Sequence, residues 1–592
     1  MTSSRRRARP FRLLLLGAAS AVATTAALVA APLAATADTG STVSGTVAYT
    51  VAGGGTNTSN TSTVRLYPLT GSSPQQPLVV QASAGTWSFA GVAPGRYRVQ
   101  FGPTPDGVDA GTWLGSDLED SATVVVVGSA AVTVPLTTQP LAGSISGTVT
   151  GASGSAGFAA YRWNDQTRMF ERLNNLPAQF NGSTYTFGGL SAGKYVVRFA
   201  DSVSDLAPQF STDYYNNTPS VWSSTFVTVA AGQNVSGIDG TVGPWQWYTG
   251  RMAGSDRFET SVAISKAFYP NPGQANVVYV ANGVNFPDAL SASAAAAHDG
   301  GPLLMTRQDG VPASVVAEIQ RLAPPTIVVI GGTAAVSAAA YQQLAALAPS
   351  IQRISGSDRF ETSRSVASHS FSSAHPTSVF IATGTNFPDA LVAGSAAGYE
   401  NSPLVLVDGR AGALDSATKS LLTTLAPSRI YVVGGVNSVS TGIQNELGTL
   451  GVPVVLRLAG GDRFGTAQAV NKEVFPFADQ AFIASGLGFP DALSISALAG
   501  VVGAPLLLAP TTCIPYGEAN DATVQGVATY FVVGGTSVLT PAVEQLQLCA
   551  QGEYGTSSGL TTSSARVAPK IGSLTPGQSG LDAAIRSAHA KR

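Results

Sequence analysis

The sequence predicts a multidomain protein: two all-β, Ig-like sandwiches followed by three α/β repeats, each built on a parallel sheet. Three observations carry this expectation. One segment of about ten residues recurs three times, spaced by 102 and 104 residues. Between its copies, short apolar runs without polar alternation take turns with helix-patterned stretches, as strands covered on both faces do. Ahead of them, the openings Ser44-Gly-Thr-Val47 and Ser146-Gly-Thr-Val149 stand 102 residues apart, each followed by short alternating runs broken by Gly, Ser and Thr.

The N-terminus sets the compartment. Arg5, Arg6, Arg7, Arg9 and Arg12 precede the apolar Leu13–Leu16, and Ala35-Thr-Ala37 offers a cleavage site before Asp38. Residues 1–37 are therefore expected to be a signal peptide, giving a secreted chain with no membrane segment after cleavage. The C-terminal Ala590-Lys-Arg592 has no hydrophobic tail, so covalent wall attachment is not expected. Residues 1–37 contain five arginines and no acid, so their removal takes the formal charge from −2 to −7. Such a chain will not hold nucleic acid or another polyanion through bulk charge, and any polyanion site needs local basic clusters.

The two sandwiches are expected over 38–140 and 141–245. Each carries one signature: Trp87-Ser-Phe89-Ala-Gly91-Val-Ala-Pro-Gly95-Arg-Tyr97-Arg-Val99, and Tyr185-Thr-Phe187-Gly-Gly189-Leu-Ser-Ala-Gly193-Lys-Tyr195-Val-Val197. Alternation on both sides of a Gly-containing turn reads as a β-hairpin.

The three repeats are expected over 248–350, 351–454 and 455–550, with 551–592 a flexible tail holding a short helix near Leu581–Ala590. The recurring segment reads Arg251-Met-Ala-Gly-Ser-Asp256-Arg257-Phe258-Glu-Thr260, then Arg353 through Asp358-Arg359-Phe360 to Thr362, then Arg457 through Asp462-Arg463-Phe464 to Thr466. Phe-Pro-Asp-Ala-Leu follows each copy, placing Asp288, Asp389 and Asp491. Last come the strand ends Gly331-Gly332, Gly434-Gly435 and Gly534-Gly535. In the first unit the pattern gives helices over Arg257–Phe268, Ala289–Ala297, Ala313–Leu322 and Ser337–Leu347. Strands are expected over Asn276–Ala281, Leu303–Met305 and Thr326–Ile330.

Arg-x-Ala/Ser-Gly-Ser/Gly-Asp-Arg-Phe-x-Thr, with Phe-Pro-Asp-Ala-Leu and the Gly-Gly strand end, resembles the cell wall-binding repeat 2 family over about 248–550. The resemblance implies three α/β units around a pseudo-threefold axis, on a Gram-positive surface, binding an anionic wall polymer non-covalently. The third copy departs from the pattern with Gly465 for Glu and Gly488 for Asn. The N-terminal units resemble carboxypeptidase regulatory-like or Cna-B-like domains, which implies stalks or spacers and, in some relatives, carbohydrate binding.

Arg251, Arg257, Arg353, Arg359, Arg457 and Arg463 are the candidate polymer-binding residues, because the guanidinium fork gives a phosphate or carboxylate two parallel hydrogen bonds. They are six of 14 basic residues between 251 and 550, against 20 acidic ones, so a polyanion site there must draw on them. The alternative is that they pair with acids and fix the packing of the repeats. Asp256, Asp358 and Asp462 are expected to be structural, as are Asp288, Asp389 and Asp491, which follow Pro or precede Ala-rich runs as helix caps do. The Gly-Gly ends are either tight turns or free N–H groups for an anion. Cys513 and Cys549 are expected to form a disulfide in an oxidising compartment. No His-Glu-x-x-His or spaced metal ligands occur, so the chain is expected to be a non-enzymatic monomer without cofactor or metal. Two alternatives stand beside wall anchoring: carbohydrate binding through the sandwich tryptophans, and peptidoglycan hydrolysis by carboxylates paired only in space.

Overall fold

The computed structural model describes residues 41–50, 56–57, 62–72, 77–102, 112–114, 122–151, 156–165, 169–173, 178–201, 213–218, 221, 224–245, 247–285, 288–550, 554 and 571–573. The expected signal peptide and the helix near 581–590 lie outside the described residues.

Each N-terminal unit wraps two sheets around one core. In the first, Ser41–Thr50 pairs with Thr86–Val92 and Val132–Gln139, while Thr63–Pro68 pairs with Leu78–Gln81 and Gly95–Phe101. Val43, Val64, Trp87, Phe89, Val99 and Phe101 fill the space between. The second unit repeats the plan, with Gly143–Thr150 against Thr184–Leu190 and Ala156–Asn164 against Gly193–Asp201.

The expected hairpins are corrected here. Thr86–Val92 and Gly95–Phe101 do not pair with each other; the chain arches from one sheet to the other. Thr184–Leu190 and Gly193–Asp201 do the same. An arch places both strands' apolar residues toward a shared core, so its alternation is indistinguishable from that of a hairpin. Gly91 and Gly189 make the reversal at φ +69°. Tyr97 and Tyr195 then brace the arch, their hydroxyls donating to the carbonyls of Ala93 and Ser191.

The C-terminal half contains three parallel sheets whose central strands, such as Val278–Asn282, Ser378–Thr383 and Gln480–Ser485, are buried along their whole length. This explains why they read as unbroken apolar runs. The strands Leu303–Thr306, Val278–Asn282 and Thr326–Ile330 of the first repeat are joined by Ser350–Ile354, the opening strand of the second. The second repeat's sheet is completed by Val454–Leu458 from the third. The third repeat's sheet is completed by Trp247–Met252 from the first, which closes the series on itself.

Three helices made largely of small residues, Ala292–Asp299, Pro388–Tyr399 and Pro490–Val502, pack on one another. A Cβ on Gly398 would stand 2.9 Å from that of Ala297 and 3.4 Å from the Gly500 Cα. Ser496 Oγ donates to the Leu391 carbonyl (3.0 Å) across this contact. Close approach of three backbones is the reason the sequence keeps these helices small.

Both N-terminal units are seated on the repeats, which corrects the expectation of outward stalks. Thr70–Ser72 of the first adds a parallel strand beside Val455–Arg457, and Arg96 donates to the Val452 carbonyl. The second unit receives Phe477 among Tyr161, Phe170 and Tyr214. Asp479 accepts from the Tyr214 hydroxyl (3.0 Å) and the Val221 N–H (3.2 Å). The tail also contributes structure, since Ile571–Ser573 pairs in parallel with Trp247–Thr249. Cys513 and Cys549 form a disulfide beside the bridge joining Ile514 to Leu548. Among the described residues no helix is long and apolar enough to cross a membrane.

Candidate binding site at the repeat junctions

The strand exchange brings the recurring segments to three equivalent junctions. Arg251, Arg353 and Arg457 lie near the ends of the donated strands and turn toward the Gly-Gly corner of the preceding sheet. Their Nη1 atoms donate to the carbonyls of Gly534 (2.7 Å), Gly331 (2.6 Å) and Gly434 (2.6 Å). Arg251 also meets Glu544 at 3.0 Å, Arg353 lies over the Tyr341 ring, and Arg457 donates to Gln444 at 2.8 Å. Arg457 is only 4% exposed, and burial lowers its pKa from the ordinary value. Arg457 is thus the most enclosed of the three; Arg251 and Arg353 share its hydrogen bond and are half-buried.

The Gly-Gly corners are turns. Gly331, Gly434 and Gly534 sit at φ +100°, +109° and +106°. A Cβ there would stand 2.7, 2.4 and 2.4 Å from Oδ2 of Asp288, Asp389 and Asp491 respectively. Their N–H groups are spent on the carbonyls of Ile354, Leu458 and Met252, so they are not available to an anion.

Asp389 and Asp491 do not cap their own helices, whose N-cap positions are Phe387 and Phe489 with no side-chain cap hydrogen bond. The expected capping is corrected accordingly, because these carboxyls reach across the junction instead. Asp288 lies by Thr362 and Arg359, Asp389 by Thr466 and Arg463, and Asp491 by Thr260 and Arg257. Burial raises the pKa of all three carboxyls, opposed by the neighbouring hydroxyl and guanidinium. Asp256, Asp358 and Asp462 do cap helices, accepting from the N–H groups of Glu259 (2.9 Å), Glu361 (2.7 Å) and Gly465 (2.8 Å).

The second arginine of each segment is placed differently. Arg257, Arg359 and Arg463 are half-buried and donate Nη1 to the carbonyls of Gly283 (2.7 Å), Gly384 (2.8 Å) and Gly486 (2.6 Å). Arg257 stands over the Phe489 ring and Arg463 over Phe387, each at 5.8 Å, and the two rings are 5.9 Å apart. Phe286, the corresponding residue of the first repeat, lies outside the described residues. Val284 (57% exposed) and Leu487 (59%) occupy the same loops. Partly exposed rings beside guanidiniums can take a sugar face and an anionic substituent together. The aromatic partners and the threonines were missed by sequence reasoning, although both stand in the repeated motifs.

The third repeat differs inside as well. Ser261 and Ser363 accept from the strand N–H groups of Met305 (3.2 Å) and Leu406 (2.8 Å). Ala467 occupies that position in the third copy, and the Leu508 N–H turns to the buried carboxylate of Glu518 (3.0 Å).

Comparison with known proteins agrees with this repeat structure. The family model for Cell wall binding domain 2 (CWB2) matches residues 251–341, 353–444 and 457–544. The chain is 27% identical over 304 residues to the N-acetylmuramoyl-L-alanine amidase LytC of Bacillus subtilis (strain 168), covering 51% of this chain and 59% of that one. It is 25% identical over 298 residues to the amidase enhancer of the same organism, covering 50% of this chain and 39% of that one. The chain thus spans less than two thirds of either relative. Among solved structures, Cwp6 from Clostridium difficile aligns at 18% identity and TM-score 0.46, over 83% of this chain and 64% of that one. Cwp8 from the same organism aligns at 19% identity and TM-score 0.46, over 66% and 62%.

Proposed function

We propose, from a C-terminal half that carries three CWB2 repeats, that this chain is a secreted surface protein held non-covalently on an anionic polymer of a Gram-positive cell wall. The observation that carries the proposal is the threefold recurrence of a half-buried guanidinium, Arg257, Arg359 or Arg463, that gives one hydrogen bond to a loop carbonyl and borders the surface. These three arginines are the polymer-contacting set. Arg251, Arg353 and Arg457 hold the junctions together. The cyclic strand exchange and the mutual packing of three inner helices support a pseudo-threefold arrangement, with one binding point at each junction. Three weak points on one rigid body raise retention by avidity, ~10² to 10⁴-fold over a single point.

The N-terminal units, which we read as Ig-like sandwiches, act as a docked platform. Carbohydrate stacking on their tryptophans gains little support, because Trp87 is buried and Trp163 packs against Phe170 and Phe226. We read the chain as a monomeric binder without a catalytic centre: the raised carboxyls of the junctions are engaged in packing the repeats.

The mature chain should co-sediment with purified Gram-positive sacculi and be released by high salt, since the contact is ionic. Failure to sediment at low salt would sink the proposal. A cleared band on a peptidoglycan zymogram would replace it with hydrolysis.

A further inference from the structure

We propose that Arg307 completes an anion site belonging to the first repeat alone, in which it and Arg257 clamp a phosphate or carboxylate of the wall polymer. The proposal rests on the wall-anchoring reading and asks which junction carries most of it.

Arg307 follows the strand Leu303–Thr306 and its side chain is 58% exposed. Its guanidinium lies 4.8 Å over the Phe258 ring, and the acid it meets there, Asp256, is at 4.0 Å. Asp256 already caps its helix, its Oδ1 accepting from Phe258 and Glu259. Asp309, two residues beyond Arg307, is also exposed. The loops of the two arginines are tied together: the Gly283 N–H donates to the Thr306 carbonyl (2.9 Å), and the Gly283 carbonyl accepts from Arg257 (2.7 Å). A Cβ on Gly283 would stand 3.1 Å from the Phe258 ring and 3.5 Å from the Arg257 Cδ, so the ring under Arg307 and the stem of Arg257 meet at one glycine.

The other repeats lack this pairing. Asp408 stands at the position of Arg307 in the second copy and Pro510 in the third. A second difference falls at the same junction. Gly488 replaces the asparagine of the other copies beside Phe489, and the space its Cβ would take is open. The junction with two arginines is thus also the one with a trimmed wall. Two planar forks on one anion, with room for a ring against Phe489, suit a charged sugar or a sugar phosphodiester.

The test uses the full mature chain and purified Gram-positive sacculi in three forms: untreated, stripped of phosphodiester polymers with hydrofluoric acid, and with carboxyls blocked by carbodiimide coupling. Arg307→Gln should weaken binding to untreated sacculi about tenfold, the loss expected for one charged hydrogen-bonding group. Arg307→Lys should fall between, and Arg410→Gln, on an exposed loop of the second repeat, should match wild type. Loss of wild-type binding to stripped sacculi assigns the anion as phosphodiester, and loss on blocked sacculi assigns it as carboxylate; retention on both overturns the anion site. Arg307→Gln binding within about twofold of wild type, or Arg410→Gln weakening binding as much, also overturns it. Thermal unfolding of Arg307→Gln should match wild type, and weakened binding that only tracks a lowered Tm counts against the proposal. Wild type failing to bind untreated sacculi overturns the anchoring reading itself.

Discussion

Glu518 shows how one lost hydroxyl redirects a whole repeat. With Ala467 in place of the serine of the other copies, the Leu508 N–H would be orphaned, and a fully buried carboxyl has taken the bond. Burial, with Asp462 and Asp521 nearby, raises the Glu518 pKa well above its usual value, while the Leu508 N–H works against the shift. The folded state therefore binds this proton more tightly than the unfolded chain. Stability from this group is whole below the ordinary glutamate pKa and is lost as pH rises through the raised one. Glu518→Gln should flatten that decline in chemical denaturation between pH 5 and pH 8. Glu518→Ala should cost about 2–4 kcal/mol, and Ala467→Ser combined with Glu518→Val, the first repeat's solution, should recover most of it. No recovery in the double variant would show that Glu518 is kept for another purpose. Sequence reading passed over this residue because nothing in a single glutamate reveals that its partner is a strand amide. It likewise treated the two arginines of each segment as one set. Six residues apart in one motif, they meet different carbonyls: the first lies on a strand and reaches a Gly-Gly corner, the second opens a helix and reaches a loop.

At the scale of elements, what could be read was what depends on local pattern. The first, third and fourth helices of the first repeat appear as Arg257–Phe268, Ala313–Leu322 and Ala338–Ala345, close to the expected bounds. The Cys513–Cys549 pairing was legible from compartment and number, and closing so long a loop stabilises by about 4 kcal/mol on chain-entropy reasoning. The β-arches were not legible, since hairpin and arch share their alternation, and neither was the donation of each opening strand to the preceding sheet. The three inner helices offer a sharp check on packing. Gly398→Val places methyl groups against Ala297 and Gly500, and should cost about 2–3 kcal/mol. Gly448→Ala, in the helix Thr441–Thr449 with open space at its Cβ, should instead add roughly 0.5–1 kcal/mol. Thermal melts of the two variants should move in opposite directions; a tolerated Gly398→Val would mean that the helices stand further apart than described.

Across the whole molecule, strand exchange, the docked N-terminal units and the strand Ile571–Ser573 make the repeats one body with its neighbours. A polymer engaging several junctions of such a body meets guanidiniums already held in place by loop carbonyls, so little ordering entropy is lost on binding. Wall retention of a variant carrying Arg257→Ala, Arg359→Ala and Arg463→Ala together, set against Arg410→Ala on the same sacculi, tests this most directly. Apparent affinity should fall on the order of 10²-fold, with far-UV circular dichroism unchanged. Full retention by the correctly folded triple variant would contradict the placement of polymer contact at the repeat junctions.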